Sequence, residues 1–186
     1  SDTADEVITD RTKIVAVTHV GNTTGAITDI APIIRRAHEV GAVFVLDACQ
    51  SVPHLKVDFH ALDVDFAAWS AHKMYGPTGV GFLYGKREML EALPPANFGG
   101  SMVELAWMDQ EAQYMEPPAR FEAGTQPVAQ VVAAGVAAEW LMNIGMENLE
   151  AHERTITDEL LALGDIEGVR ILGPRSNERR IGTIAF

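Results

Sequence analysis

KIVAVTHVGNTTGAITDIAPIIRRAHEVGAVFVLDA, residues 13–48, sets the architecture of this chain. Its two ends, KIVAVTH (13–19) and VFVLDA (43–48), are short, apolar and rich in β-branched residues, the pattern of strands buried inside a sheet. GNTTG after the first strand reads as a turn. Thr28 or Asp29 then offers a helix N-cap. Pro32 falls in the first turn, where its missing N–H costs little, and Ile30, Ile33, Ile34 and Ala37 form one apolar stripe. Gly41 supplies the left-handed residue that ends such a helix. Strand, helix and strand at this spacing predict a right-handed parallel crossover.

Reading onward, VDFAAWS (64–70) predicts a third strand and GVGFLYG (79–85) a fourth. The fourth follows too closely for a helical crossover, so it is expected to run antiparallel. The fold class is therefore α/β, a mostly parallel sheet flanked by helices. After residue 94 the texture changes: PPANFGGSM and EPPARFEAGT are long and loop-rich, and such loops often carry function. A helix from Pro127 to about Met142 is apolar on nearly every side, which suits burial in a larger body or at an interface. Another, roughly 147 to 163, places Leu149, Ile156, Leu160 and Leu163 on one face; VRIL and IGTIAF predict the start of a small β element. Residues 1–145 are thus read as a large domain and 146–186 as the start of a small α+β domain.

Composition narrows the function. With 186 residues, 47% of them hydrophobic, the chain can bury a sizeable core. A formal net charge of −12 argues against a nucleic-acid partner, and the short Arg175 to Arg180 cluster does not overturn that. No apolar run approaches the roughly 20 residues of a membrane-spanning helix. Cys49 is the single cysteine and can form no internal disulfide, so a soluble, cytoplasmic protein is expected. The absence of Met at position 1 and an ending that reads like mid-strand suggest a piece of a longer chain.

In open parallel α/β sheets, ligands bind beyond the carboxyl ends of the strands. The first strand delivers His19 and Asn22 to that rim, the second Asp47 and Gln50, and the third Ser70, His72 and Lys73, the last three inside WSAHKMYGPTGVG (69–81). A carboxylate at a strand end needs a cationic or hydrogen-bonding partner. A lysine becomes a usable nucleophile when it is desolvated or set beside another cation. Pyridoxal phosphate (PLP) satisfies both groups at once, with a pyridine nitrogen for Asp47 and an aldehyde for Lys73. Asn22 and Gln50 then suit the ring's phenolic oxygen, and Ser70 and His72 the phosphate. Each residue also has an ordinary reading: Asn22 as a turn residue, Asp47 as a strand-end cap, His72 as a satisfied imidazole, Lys73 as a solvated charge. Their convergence on one rim favours the cofactor.

THVGNTTG, DACQSVPH, DVDFAAWSAHKMYGPTGVGFLYG, GGSM and RFEAGT together resemble the large domain of a PLP-dependent cysteine desulfurase of the Suf type, within the aminotransferase class V family. The resemblance implies a fold-type-I PLP enzyme, homodimeric, that takes sulfur from L-cysteine (or L-selenocysteine as an alternative substrate). The products are L-alanine and an enzyme persulfide, passed to a sulfur-acceptor protein of iron–sulfur cluster assembly. It implies Lys73 as the Schiff-base lysine, Asp47 as the pyridinium partner, Asn22 and Gln50 at the phenolic oxygen, and Ser70 and His72 at the phosphate. It further implies that Gly124 and Thr125 reach the phosphate of the neighbouring subunit's cofactor.

Two departures stand out. Where the family often reads D-G-A-Q, this chain has Asp47-Ala48-Cys49-Gln50, and after RFEAGT it has Gln126-Pro127 where Pro-Asn is common. Neither touches an acid, base or lysine position. Family members are about twice this length, and the resemblance puts the persulfide cysteine and the substrate-carboxylate arginine in segments this chain lacks. The piece alone is therefore expected to be inactive, with Cys49 held in the wall beneath the cofactor and not carrying sulfur. Two alternatives stay open: another class V PLP enzyme such as a selenocysteine lyase, epimerase or aminotransferase, and, from a different class, a PLP-free scaffold or dimerisation domain.

Overall fold

The computed structural model describes residues 4–186. A short helix α1 (Ala4–Val7) precedes β1 (Ile14–Thr18), α2 (Ala31–Glu39), β2 (Val43–Asp47), β3 (Phe66–Ser70) and β4 (Gly81–Gly85). The four strands form one sheet in the order β1-β2-β3-β4. β1, β2 and β3 are parallel and β4 is antiparallel to β3, as the short third connection predicts. The third and fourth strands start two residues later than the sequence suggests. Val64 and Asp65 are buried ahead of β3, and Gly79, at φ +83°, turns the chain ahead of β4.

One face of the sheet is packed and the other is open. Val15, Phe44, Leu46 and Ala67 alternate onto the face covered by α2, where Ile34 and Ala37 are buried against them. Ile14, Ala16, Thr18, Val45, Asp47, Ala68, Ser70 and Leu83 share the opposite face by register. Ile14 and Leu83 there are 65% and 62% exposed. The near-continuous apolar character of the strands is that of a sheet covered on both sides, so this second face is built for burial.

α2 departs from its expected start. Its N-cap is Ile30, with no side-chain cap, and Pro32 sits in the first turn. Thr28 does not cap; its hydroxyl donates to the Thr18 carbonyl at 3.0 Å, which ties the helix entry to the end of β1 instead. Gly41, at φ +74°, ends the helix as expected.

β4 leads into α3 (Arg87–Ala92), and the loop-rich stretch beyond it contains a small antiparallel hairpin, β5 (Val103–Leu105) with β6 (Gln113–Tyr114). α4 (Val128–Ile144) and α5 (Met146–Leu161) follow, separated by a sharp bend at Gly145, whose φ is +84°. Among the described residues no single helix is long and apolar enough to cross a membrane. The β element expected at the end reduces to one isolated bridge, Leu172 with Ala185. Residues 179–181 turn instead to the loop after β1, through Ile27 N–H to Arg179 O and Ile181 N–H to Gly25 O, each 2.9 Å.

Candidate functional site

The rim forms where β1, β2 and β3 end side by side. Thr18 and Asp47 are register partners, as are Asp47 and Ala68, and Ser70 lies two residues beyond Ala68 on the same open face. The Asp47 carboxylate and the Ser70 hydroxyl therefore leave the sheet on one side, at neighbouring strand ends. Asp47 Oδ1 accepts the Cys49 amide at 3.0 Å, and Oδ2 lies 3.5 Å from the Thr18 hydroxyl, which donates to it. Among the described residues no cation pairs with this carboxylate, so it retains capacity for an N–H donor above the open face.

Cys49 bridges the second and third strands. Its Sγ is 3.9 Å from both the Ser70 hydroxyl and the Ala68 carbonyl, and it lines a shallow groove with Asp47, Thr18, Val45 and Ala68. The thiol is half-buried. Gln50, also half-buried, follows in a turn held by the Ser51 amide on Ala48 O at 3.1 Å.

Beyond Ser70 a short helical turn, Ala71–Lys73, carries the exposed His72 and the half-buried Lys73. It closes tightly: the amides of Met74 and Gly76 both reach Ala71 O at 2.9 Å. A Cβ on Gly76 would come within 2.9 Å of that carbonyl, so the glycine is required for the closure. Tyr75 takes φ 63°, an unusual value for an aromatic residue, and packs edge-on against Trp140 of α4 at 5.2 Å between ring centroids. The turn is thereby anchored on both sides of Lys73. Among the described residues Lys73 pairs with no carboxylate.

Asn22 lies exposed at the tip of the loop after β1. Gly25 N–H to Gly21 O at 2.8 Å and Gly21 N–H to Ala26 O at 2.9 Å close that loop on itself. The structure thus gathers Asp47, Cys49 and Ser70 by direct contact or register, and Asn22, Gln50, His72 and Lys73 by the loops that leave the same strand ends. Gly124 and Thr125 lie elsewhere in the chain. Gly124 takes φ +84° and donates to Gly100 O at 2.7 Å, in a loop bordering a groove with Trp69, Phe82, Phe98 and Phe121.

One residue at the rim escapes the sequence reading. Thr18 orients Asp47, and only the strand register, not its local sequence, would have shown it. His19, which the sequence delivers to the same rim, is buried with Nδ1 unpartnered, and burial pushes its pKa down.

An acidic group with an open lone pair, a hydroxyl on the same face and a lysine on an anchored turn beside them match the polar ends of a pyridoxal phosphate: ring nitrogen, phosphate and aldehyde. A model of the aminotransferase class-V family matches residues 1–186. A probable cysteine desulfurase 2 of Mycobacterium leprae is 50% identical over 178 residues, 95% of this chain and 42% of that relative. The crystal structure of the Escherichia coli cysteine desulfurase CsdA (S-sulfonic acid) superposes with a TM-score of 0.88 at 38% identity, covering 95% of this chain and 44% of that one. A mutant of C-DES with glycine covalently linked to its PLP cofactor shares the fold, at TM-score 0.81 and 24% identity over 91% of this chain and 46% of that one. The chain spans less than half the length of each.

Proposed function

The chain belongs to the aminotransferase class-V family, and from that premise we propose that it is the lysine-bearing part of a PLP-dependent cysteine desulfurase. The observation that carries this is the shared open face on which Asp47 and Ser70 emerge, one short turn from Lys73. PLP bound there supplies an electron sink for bonds at the substrate's α-carbon. Asp47 keeps the ring nitrogen protonated, with Thr18 and the Cys49 amide fixing the carboxylate's direction. Lys73 would hold the cofactor through its aldehyde, and its amine would serve as the group that moves protons at the substrate. Ser70 and His72 bind the phosphate, and Asn22 and Gln50 the phenolic oxygen.

The substrate under this reading is L-cysteine, with L-alanine as product and the sulfur leaving as a persulfide for iron–sulfur cluster assembly. The persulfide cysteine is outside this chain, because Cys49 is fixed between two strands. A homodimer is part of the reading, with Gly124 and Thr125 serving the partner's phosphate. It is supported by α4, whose Val132, Val136 and Met142 are 63%, 62% and 77% exposed. Residues 1–145 are assigned to the large domain and 146–186 to the start of a smaller one. A cytoplasmic location agrees with a lone, unpaired thiol.

The test uses the intact enzyme. Lys73→Ala is expected to abolish turnover and the cofactor's covalent attachment, read by absorbance and by mass after borohydride reduction. Asp47→Asn is expected to keep some cofactor and lose at least about a hundred-fold in alanine production. Undiminished alanine from either variant sinks the assignment. Keto acid or racemised amino acid in place of alanine would move the protein to another class V activity.

A further inference from the structure

The segment after α5 carries a buried guanidinium that nothing in the proposed chemistry uses. Arg180 is 2% exposed, and its partners are three backbone carbonyls. Nη1 donates to Pro174 O at 2.6 Å, while Nη2 donates to Thr24 O at 2.7 Å and Thr183 O at 2.6 Å. Nε is buried with no partner, and among the described residues no carboxylate lies within ion-pair distance. A cation removed from water without a counter-charge is expensive to keep, so its three carbonyls must be held firmly in place around it. A planar fork can meet carbonyls arriving from separate segments; an ammonium on a flexible stem presents one point charge.

One of those carbonyls, Thr24 O, belongs to the loop that presents Asn22. The backbone joins the same two segments, through the bridge of Ala26 with Arg180 and the Ile27–Arg179 and Ile181–Gly25 hydrogen bonds. The approach is close enough to demand glycine. At Gly25, φ +68°, a Cβ would lie 2.7 Å from Thr183 O and 2.9 Å from Ile181 O. The exposed Asn22 loop therefore owes its shape to a residue 156 positions after Thr24 as well as to its own closing hydrogen bonds.

We propose that Arg180 is a positioning residue for the cofactor site: its guanidinium clamps the 21–25 loop so that the Asn22 amide stays at the rim facing the cofactor's phenolic oxygen. This rests on the reading of Asn22 as a cofactor contact. It gives the region after α5 a role in cofactor binding without touching the cofactor.

A double-mutant cycle in the intact enzyme tests it. Arg180→Lys and Asn22→Ala are each expected to weaken PLP binding about ten-fold, measured by titrating the bound cofactor's visible absorbance. The double variant should be no more than about two-fold weaker than Asn22→Ala alone, because the clamp acts through Asn22. Gly25→Ala, which keeps the guanidinium but crowds the same contact, should behave like Arg180→Lys and carries the cycle if the arginine variant does not fold. Hydrogen exchange supplies a readout independent of cofactor. The Gly21, Gly25 and Ile27 amides should exchange faster in Arg180→Lys while the β2 amides keep their protection. Losses that simply add in the double variant, or loop amides unchanged in exchange, would overturn the proposal. Failure of the unmodified enzyme to bind PLP would sink the cofactor reading, and Asn22's role with it, while the exchange experiment would still show whether Arg180 fixes the loop.

Discussion

Asp47 illustrates how a side chain at a strand end becomes directional. One oxygen takes the Cys49 amide and the other faces the Thr18 hydroxyl, so the carboxylate cannot rotate freely and its remaining lone pairs project from the open face. Asp47 was singled out from sequence because a carboxylate closing an apolar strand needs a hydrogen-bonding or cationic partner, although a strand-end cap also accounts for it. Thr18 was not, since a threonine at a strand end is ordinary and only its register with Asp47 gives it meaning. Cys49 was expected to be walled in, and it is only half-buried, lining the groove beside Asp47. Its sulfur nonetheless sits 3.9 Å from both the Ser70 hydroxyl and the Ala68 carbonyl, close to the strand ends. Cys49→Ala in the intact enzyme is therefore expected to retain most of its alanine production, within about three-fold, with PLP binding intact. Loss of turnover with cofactor still bound would make Cys49 the sulfur carrier.

The elements that present the rim are locked by charge as well as by apolar packing. Asp65, 2% exposed, accepts the Phe44 amide at 2.8 Å, His38 Nε2 at 3.0 Å and Lys86 Nζ at 2.7 Å, which joins β2, α2 and the end of β4. Burial alone would raise its pKa, but Lys86, the Phe44 amide and His38 outweigh that and hold it below the usual carboxylate value. Glu153 follows the same logic: burial is outweighed by His54 and the Gly182 amide. A carboxylate whose folded pKa is depressed contributes stability above its unfolded pKa and loses it as pH falls through the folded one. The melting temperature should thus drop steeply below about pH 4, and Asp65→Asn should flatten that acid limb while lowering the plateau. Lys86→Met, which strands the buried carboxylate, should cost about 3 kcal/mol in a urea melt; a loss below about 1 kcal/mol would show that the pair is dispensable. None of this lock enters the sequence reading, because Asp65 and Lys86 lie 21 residues apart and only the fold brings them together. The strands themselves were visible, because β-branched runs bounded by glycine signal burial directly. The missed helix cap has a cause no local window contains: the Thr28 hydroxyl is taken up by the Thr18 carbonyl at the end of β1.

Two apolar surfaces of the whole molecule point outward: the open sheet face with Ile14 and Leu83, and the α4 face with Val132, Val136 and Met142. Large contiguous apolar surface is uncommon on a free-standing monomer, and a sheet with this strand composition is normally covered on both sides. The matched relatives are more than twice as long as this chain; under the proposed function the rest of such a protein would cover the sheet and a second subunit would cover α4. The same face carries Asp47 and Ser70, so under the proposed function whatever covers the sheet would also close the site from above and exclude water from it. Folding of that surface and assembly of the active site are then a single event. The 186-residue chain produced alone should bind a hydrophobic dye such as ANS strongly, self-associate in sedimentation velocity, and release no alanine from cysteine even with PLP supplied. The intact enzyme should bind little dye, sediment as a discrete dimer and turn over. A well-behaved monomer of the short chain with low dye binding would show that the sheet face needs no cover, and alanine release by it would show that the site is complete without one.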